Sequence, residues 1–139
     1  MEPPLITLDT SGVLALLSRR DPAHEPATEA FAADPGPYLV PAATLGEIGY
    51  FVESRLGAPV LDGFLGDLAE GAFELDCGRD DFKRVRELVA RYDDLPLGLV
   101  DAAVIACAER NGGRVLTLDV RDFAVVAREG TISILPAAQ

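Results

Sequence analysis

Short apolar runs alternate with longer helix-like stretches from one end of the chain to the other, and that alternation leaves few folds open. "LITL" at 5–8 precedes "SGVLALLSRR", where Thr10 or Ser11 stands ready to cap a helix. Pro22 opens a second helix over 22–33, closed by "DPGP". "YLV" at 38–40 is a strand ended by Pro41, "AATLGEIGYFVESRLG" is a helix with Gly57 just past its end, and "PVLDGFLGDLAEG" is another. "AFEL" at 72–75 returns to strand, and "RDDFKRVRELVARYDD" sets Phe82, Val85, Leu88 and Val89 at helical spacing. After a break at Pro96, "LGLVDAAVIACAERNGG" is an almost wholly apolar helix with a glycine stop. "RVLTLD", "RDFAVVARE" and "TISILP" then read as strand, helix and strand. Strands joined by helices in this order pair in parallel through crossover connections. The expected fold is α/β: a three-layer α/β/α sandwich around a central, mainly parallel sheet, formed by residues 1–139 as a single domain.

Two of the apolar runs stop on a carboxylate: "ITLDT" on Asp9 and "LTLDV" on Asp119. Strands of a parallel sheet are covered on both faces and read as continuous apolar runs, and ligands bind in the crevice beyond their carboxyl ends. If the two strands are neighbours, both aspartates face one crevice. A period of two also sets Thr7 beside Asp9 and Thr117 beside Asp119, where a hydroxyl can orient a carboxylate. Either aspartate alone is equally well explained as a helix N-cap; the repetition favours a site. Asp101 is the sharper anomaly, the only charge in "LGLVDAAVIACA". Left dry and unpaired it would cost several kcal/mol, so it meets a cation or a wet crevice, or stays protonated. A first-turn aspartate favoured by the helix dipole is the competing explanation.

Three carboxylates without a nearby histidine or cysteine suit a hard divalent cation such as Mg²⁺ or Mn²⁺. Empty, the cluster repels itself; filled, it lowers the pKa of a water and stabilises charge on phosphoryl oxygens, which is phosphoester hydrolysis. Other chemistries have little material. Cys77 and Cys107 show no metal-ligand spacing and read as buried reduced thiols, and the single histidine, His24, reads as a solvated loop or helix start. Twelve basic against 23 acidic residues give a net charge of −11, which repels nucleic acid unless charges are segregated or the carboxylates are covered by cations. Asp80, Asp81, Asp93 and Asp94 read as helix-end or solvated charges. Arg19, Arg20, Arg84, Arg86, Arg91 and Arg121 offer an RNA-contacting rim, although a solvated helix face explains most of them equally well. No apolar run approaches the roughly 20 residues of a membrane span, and "MEPP" lacks a secretory pattern, so a cytoplasmic protein without membrane attachment is expected.

Four blocks carry a resemblance: "LDTSGVLALL", "PAATLGEIGYFV", "YDDLPLGLVDAAVIACAERNGGRVLTLDVRDFAVV" and "ISILP". Together they resemble a PIN-domain ribonuclease, specifically the VapC-type toxins of bacterial type II toxin–antitoxin pairs. The resemblance implies a metal-dependent endoribonuclease with Asp9, Glu47, Asp101 and Asp119 as the acidic set holding Mg²⁺ or Mn²⁺. It gives Asp122 and Thr117 supporting roles, with Ser11 a weaker contributor. Periodicity alone makes Glu47 an ordinary solvated residue off the stripe of Leu45, Ile48, Val52 and Leu56, so its role rests on the resemblance. Implied partners are an RNA substrate, transfer RNA or another structured RNA, a cognate VapB-type antitoxin and a second copy in a homodimer. The helices over 42–70 would supply dimer or antitoxin surface. Two alternatives stand beside this reading. Another Mg²⁺-dependent phosphoester hydrolase would need a phosphate-binding lysine or glycine-rich turn, yet Lys83, the only lysine, lies on an amphipathic helix. A catalytically inactive binding module would lack one of the four acidic positions.

Overall fold

The structure, a computed structural model, describes residues 5–34, 36–95 and 97–136. Pro35, the Pro96 break and the "MEPP" start lie outside the described residues. Five strands form the sheet: β1 (Ile6–Leu8), β2 (Tyr38–Pro41), β3 (Phe73–Asp76), β4 (Arg114–Leu116) and β5 (Ser133–Leu135). Their order is β3-β2-β1-β4-β5, and every pairing is parallel. The helices are α1 (Thr10–Leu17), α2 (His24–Ala32), α3 (Leu45–Phe51), α4 (Ala58–Glu70), α5 (Phe82–Arg91), α6 (Leu99–Arg110) and α7 (Val120–Ala127). A 3-10 turn (Ala42–Thr44) leads into α3, and a π-helical turn (Val52–Leu56) follows it, closed at Gly57 with φ 93°.

Strand order explains the layers. From β1 the chain moves outward through β2 to β3, and after β3 it crosses to β4 and β5 on the other side, so the helices divide between the two faces. On one face Ile6, Leu8, Val40 and Leu116 pack with Val13, Ile48, Val52 and Phe64. On the other, Val115 packs with Leu88, Val104, Ile105, Phe123 and Val126. Each fully buried side chain of this size contributes about 1.5–3 kcal/mol through removal from water. The long apolar helix of the sequence, α6, lies deep in the fold, with Ala102 and every residue from Val104 to Ala108 buried.

Several local expectations change. β2 runs one residue further than expected and takes in Pro41 as its last residue, in register with Asp76. β4 stops at Leu116 rather than running on to Asp119, because the Asp119 N–H donates to Thr117 Oγ1 (3.0 Å) and turns the chain there. Asp81 sits at a helix end as expected, capping position included, but it is buried and bonded to Arg110 rather than solvated. Cys77 is exposed, and only Cys107 is buried. His24 begins α2, half-buried, with Nδ1 2.8 Å from the Ala15 carbonyl oxygen. Phe82 lies outside the core although its spacing placed it on the apolar stripe of α5.

Candidate active site

The sheet reverses its strand order between β1 and β4, which pair directly with Leu8 opposite Leu116. A crevice opens at the carboxyl ends of such a pair, where the two chains leave in opposite directions. Asp9 directly follows β1 and is 5% exposed; Asp119 follows β4 after the Thr117 turn and is half-buried. Both occupy N-cap positions, of α1 and α7, yet neither side chain makes a capping hydrogen bond. The capping explanation for these two residues therefore leaves their carboxylates unaccounted for.

A hydroxyl network holds Asp9 instead. Thr117 Oγ1 donates to Asp9 Oδ2 at 2.8 Å, and Ser11 Oγ donates to the same oxygen at 3.1 Å. The Leu118 N–H donates to Ser11 Oγ at 2.9 Å, and the two hydroxyl oxygens lie 3.2 Å apart. The hydroxyl partners thus differ from the in-strand pairs expected. Thr117 orients the neighbouring strand's aspartate rather than Asp119, and the Thr7 hydroxyl meets α6 instead of Asp9, 3.7 Å from Cys107 Sγ. Gly12 permits this closeness: a Cβ there would lie 2.3 Å from the Leu116 carbonyl oxygen, so α1 packs against the end of β4 only with glycine at that position.

Asp101 lies in the first turn of α6, half-buried, with no cap bond. Its carboxyl is pushed up to about 6, first by burial and then by the charges of Asp9, Asp119, Asp122 and Glu47. Burial also raises Asp9, partly countered by Thr117, Thr10 and Ser11. Oxygens of Asp101, Asp119 and Asp122 all lie within 4.8 Å of one another. Asp122, expected only to support the site, therefore belongs to its most compact trio. Glu47 is exposed in the first turn of α3, off the buried stripe as its periodicity indicates, and its Oε1 accepts a 2.7 Å hydrogen bond from Thr10 Oγ1. That tether, one residue from Asp9, is what joins Glu47 to the crevice. Sequence reasoning gave Thr10 only a capping role; its adjacency to Asp9 was the available signal.

These five carboxylates are left without cations of their own. Among the described residues, the ion pairs lie elsewhere: Arg84 on Glu87, Glu109 and Glu129, Arg91 on Glu129, Arg110 on Asp76 and Asp81, Arg114 on Asp34. The donor set is oxygen only, and three of its oxygens are close enough together for a cation with ligand distances of about 2.0–2.6 Å to bridge, so the residues fit Mg²⁺ or Mn²⁺. Two of the arginines expected to form a rim are committed to other carboxylates. Arg84 and Arg91 are engaged by Glu129, and Arg19 and Arg20 follow α1 at the opposite edge of the sheet. Arg121, exposed beside Asp122 on α7, is the one sequence-adjacent to the carboxylates.

Residues 6–129 match the PIN domain family. Over 121 residues, 86% of this chain and 90% of the relative, the sequence is 32% identical to Ribonuclease VapC26 of Mycobacterium tuberculosis. The fold is similar to the crystal structure of Mycobacterium tuberculosis VapC20, described as a sarcin-ricin loop cleaving toxin, with TM-score 0.75, 23% identity and coverage of 87% of this chain and 94% of that one. It is also similar to a chain of a toxin–antitoxin complex from Klebsiella pneumoniae, with TM-score 0.67, 22% identity and coverage of 86% and 90%.

Proposed function

The chain belongs to the PIN-domain family, and on that premise we propose that it is a metal-dependent endoribonuclease and the toxin of a toxin–antitoxin pair. The observation that carries this reading is the crevice between β1 and β4, where Asp9, Asp101, Asp119, Asp122 and Glu47 weigh on one another with no protein cation among the described residues to offset them. Relationship to a ribonuclease at 32% identity over 86% of the chain supports RNA as the substrate class.

Asp101, Asp119 and Asp122, whose oxygens lie closest together, would hold the cation, Mg²⁺ or Mn²⁺, together with Asp9 and Glu47, which the family resemblance also assigns to it. Such a cation, when bound, makes a water nucleophilic near neutral pH and stabilises charge on the phosphoryl oxygens. The chain's own groups do the rest. Thr117 and Ser11 both donate to Asp9 Oδ2 and so fix the orientation of its carboxylate. Thr10 performs the same service for Glu47. Burial and the neighbouring carboxylates push the Asp101 carboxyl up to about 6, and a bound cation would favour its ionised form.

A net charge of −11 disfavours RNA over most of the surface, and a bound divalent cation would offset part of the negative charge at the crevice. Tyr50 and Leu65 are exposed within the 42–70 segment, which serves as surface for a second copy or for the cognate antitoxin. No helix among the described residues is long and apolar enough to cross a membrane, and we place the protein in the cytoplasm as one nuclease domain. Expression of the chain alone is expected to arrest growth with fragmentation of cellular RNA, and co-expression of the small protein encoded next to it is expected to relieve the arrest. Harmless expression without a partner would contradict the toxin assignment.

A further inference from the structure

Along the same carboxyl edge of the sheet, beside the acidic crevice, lies a cavity of about 350 Å³. Its floor is at Pro41 and Asp76, the register partners that end β2 and β3. The order β3-β2-β1 puts it one to two strand widths from Asp9, at about 4.8 Å per strand. The two sites share a wall: α6 carries Asp101 at the crevice and Leu99 and Ala103 at the cavity. The volume lies in the range of small-ligand sites.

Its lining is apolar where a ring could lie. Phe82 and Leu99 stand at the cavity while remaining 69% and 60% exposed, and Val85 and Ala103 lie deeper. Phe82 shares the apolar stripe of α5, yet the core uses Val85 and Leu88 and leaves its ring in water. The charged groups there are already engaged: Arg110 donates to Asp76 at 2.6 Å and to Asp81 at 2.6 and 2.8 Å. The cavity therefore presents flat apolar surface and an aromatic face rather than a free set of donors and acceptors.

We propose that this cavity is a nucleobase subsite, receiving one unpaired base next to the cleaved bond and stacking it on Phe82 without reading its identity. The inference rests on the endoribonuclease reading and names how that site holds its substrate. A strand whose phosphodiester lies at the carboxylates brings a neighbouring base within reach of the cavity, since the two sites are a strand width or two apart. Stacking on an aromatic ring suits any base, because each has a π face.

Two readouts test it. In the first, single-stranded RNA octamers carrying one abasic residue at successive positions are cleaved with Mg²⁺ by the parent protein and by Phe82→Ala. An abasic residue at one position beside the cut should lower kcat/KM on the order of tenfold in the parent. Phe82→Ala should show that loss on intact RNA and no further loss on the abasic substrate, with an unchanged Tm because the ring is exposed. In the second, Cys77, which also lines the cavity, is alkylated with iodoacetamide in Ca²⁺. Cys107 is buried with its thiol pushed up to about 12 and stays silent. Intact octamers should slow alkylation severalfold and a fully abasic octamer should not. Equal cleavage by Phe82→Ala and parent, or equal protection by the abasic octamer, overturns the subsite. Protection by an apolar peptide but not by RNA also overturns it and assigns the cavity to a protein partner. If the parent cuts no RNA yet intact octamers alone protect Cys77, the nuclease reading falls and base binding stands.

Discussion

Thr117 Oγ1 donates to Asp9 Oδ2 at 2.8 Å across the seam between β1 and β4, so one strand's hydroxyl orients the other strand's carboxylate. Thr117→Val keeps the shape and removes the donor. Partners that orient a metal-binding group typically account for about 10- to 100-fold in affinity or activity. We expect that loss in RNA cleavage and in the Mg²⁺ concentration needed for half activity, with the circular dichroism spectrum of the parent. An unchanged metal requirement would mean the hydroxyl does not position Asp9.

Gly12 is expected to be as important as any carboxylate, without bearing charge. A Cβ at this position would meet the Leu116 carbonyl oxygen at 2.3 Å, and backbone cannot swing aside as a flexible side chain can. Gly12→Ala should cost about 1–3 kcal/mol of stability through overpacking and, by prising α1 from β4, part Ser11 from Thr117. Urea denaturation would measure the first effect and cleavage the second. A variant as stable as the parent would show that α1 can shift freely.

The carboxyl of Asp101, pushed up to about 6 by burial and by four neighbouring carboxylates, makes stability depend on pH when no cation is bound. A group whose folded pKa is raised keeps its proton in the folded state after the unfolded chain has released it. The folded state therefore loses stability as pH rises from about 4 to about 6. Asp101→Asn should remove that penalty. The difference in Tm between variant and parent, measured in EDTA, is expected to grow across this window in favour of the variant. Mg²⁺ should shrink the difference at pH 7. A constant difference from pH 4 to 7 would contradict the crowding of the cluster.

Arg110 bridges the ends of β3 and α5 through Asp76 and Asp81, and Asp81 is buried. Arg110→Met should leave a buried carboxylate without its partner and destabilise the protein by about 1–3 kcal/mol, discounted for the partial exposure of the guanidinium. The double variant Arg110→Met, Asp81→Asn should recover part of the loss. Chemical denaturation of the set decides it, and absence of recovery would mean that Arg110 acts through packing alone.

Much of this architecture was legible because its signals are local. Parallel strands covered on both faces must be apolar throughout, so "LITL" and "VLTL" marked β1 and β4, and the apolar helix around Asp101 marked the central element. Their adjacency, which brings Asp9 and Asp119 to one crevice, is a property of strand order and could only be stated conditionally. Contacts between distant residues were beyond periodicity. Glu47 looks solvated because it is solvated, and only the Thr10 hydroxyl, 37 positions away, ties it to the site. Thr117 was paired with the wrong aspartate because the ST-turn that ends β4 breaks the period of two. The arginines misled for a similar reason: Glu129, far along the chain, claims both Arg84 and Arg91.

The assignment stands or falls most directly on single-turnover cleavage of RNA by the parent and by Asp101→Asn, each purified alone and assayed with Mg²⁺ and again with EDTA. The parent should cut with Mg²⁺ and stop in EDTA, and the variant should stay folded and cut at least about a thousandfold more slowly. Cleavage by Asp101→Asn at the parent's rate, or cleavage by the parent undiminished in EDTA, would contradict a metal-loaded acidic crevice as the seat of the reaction.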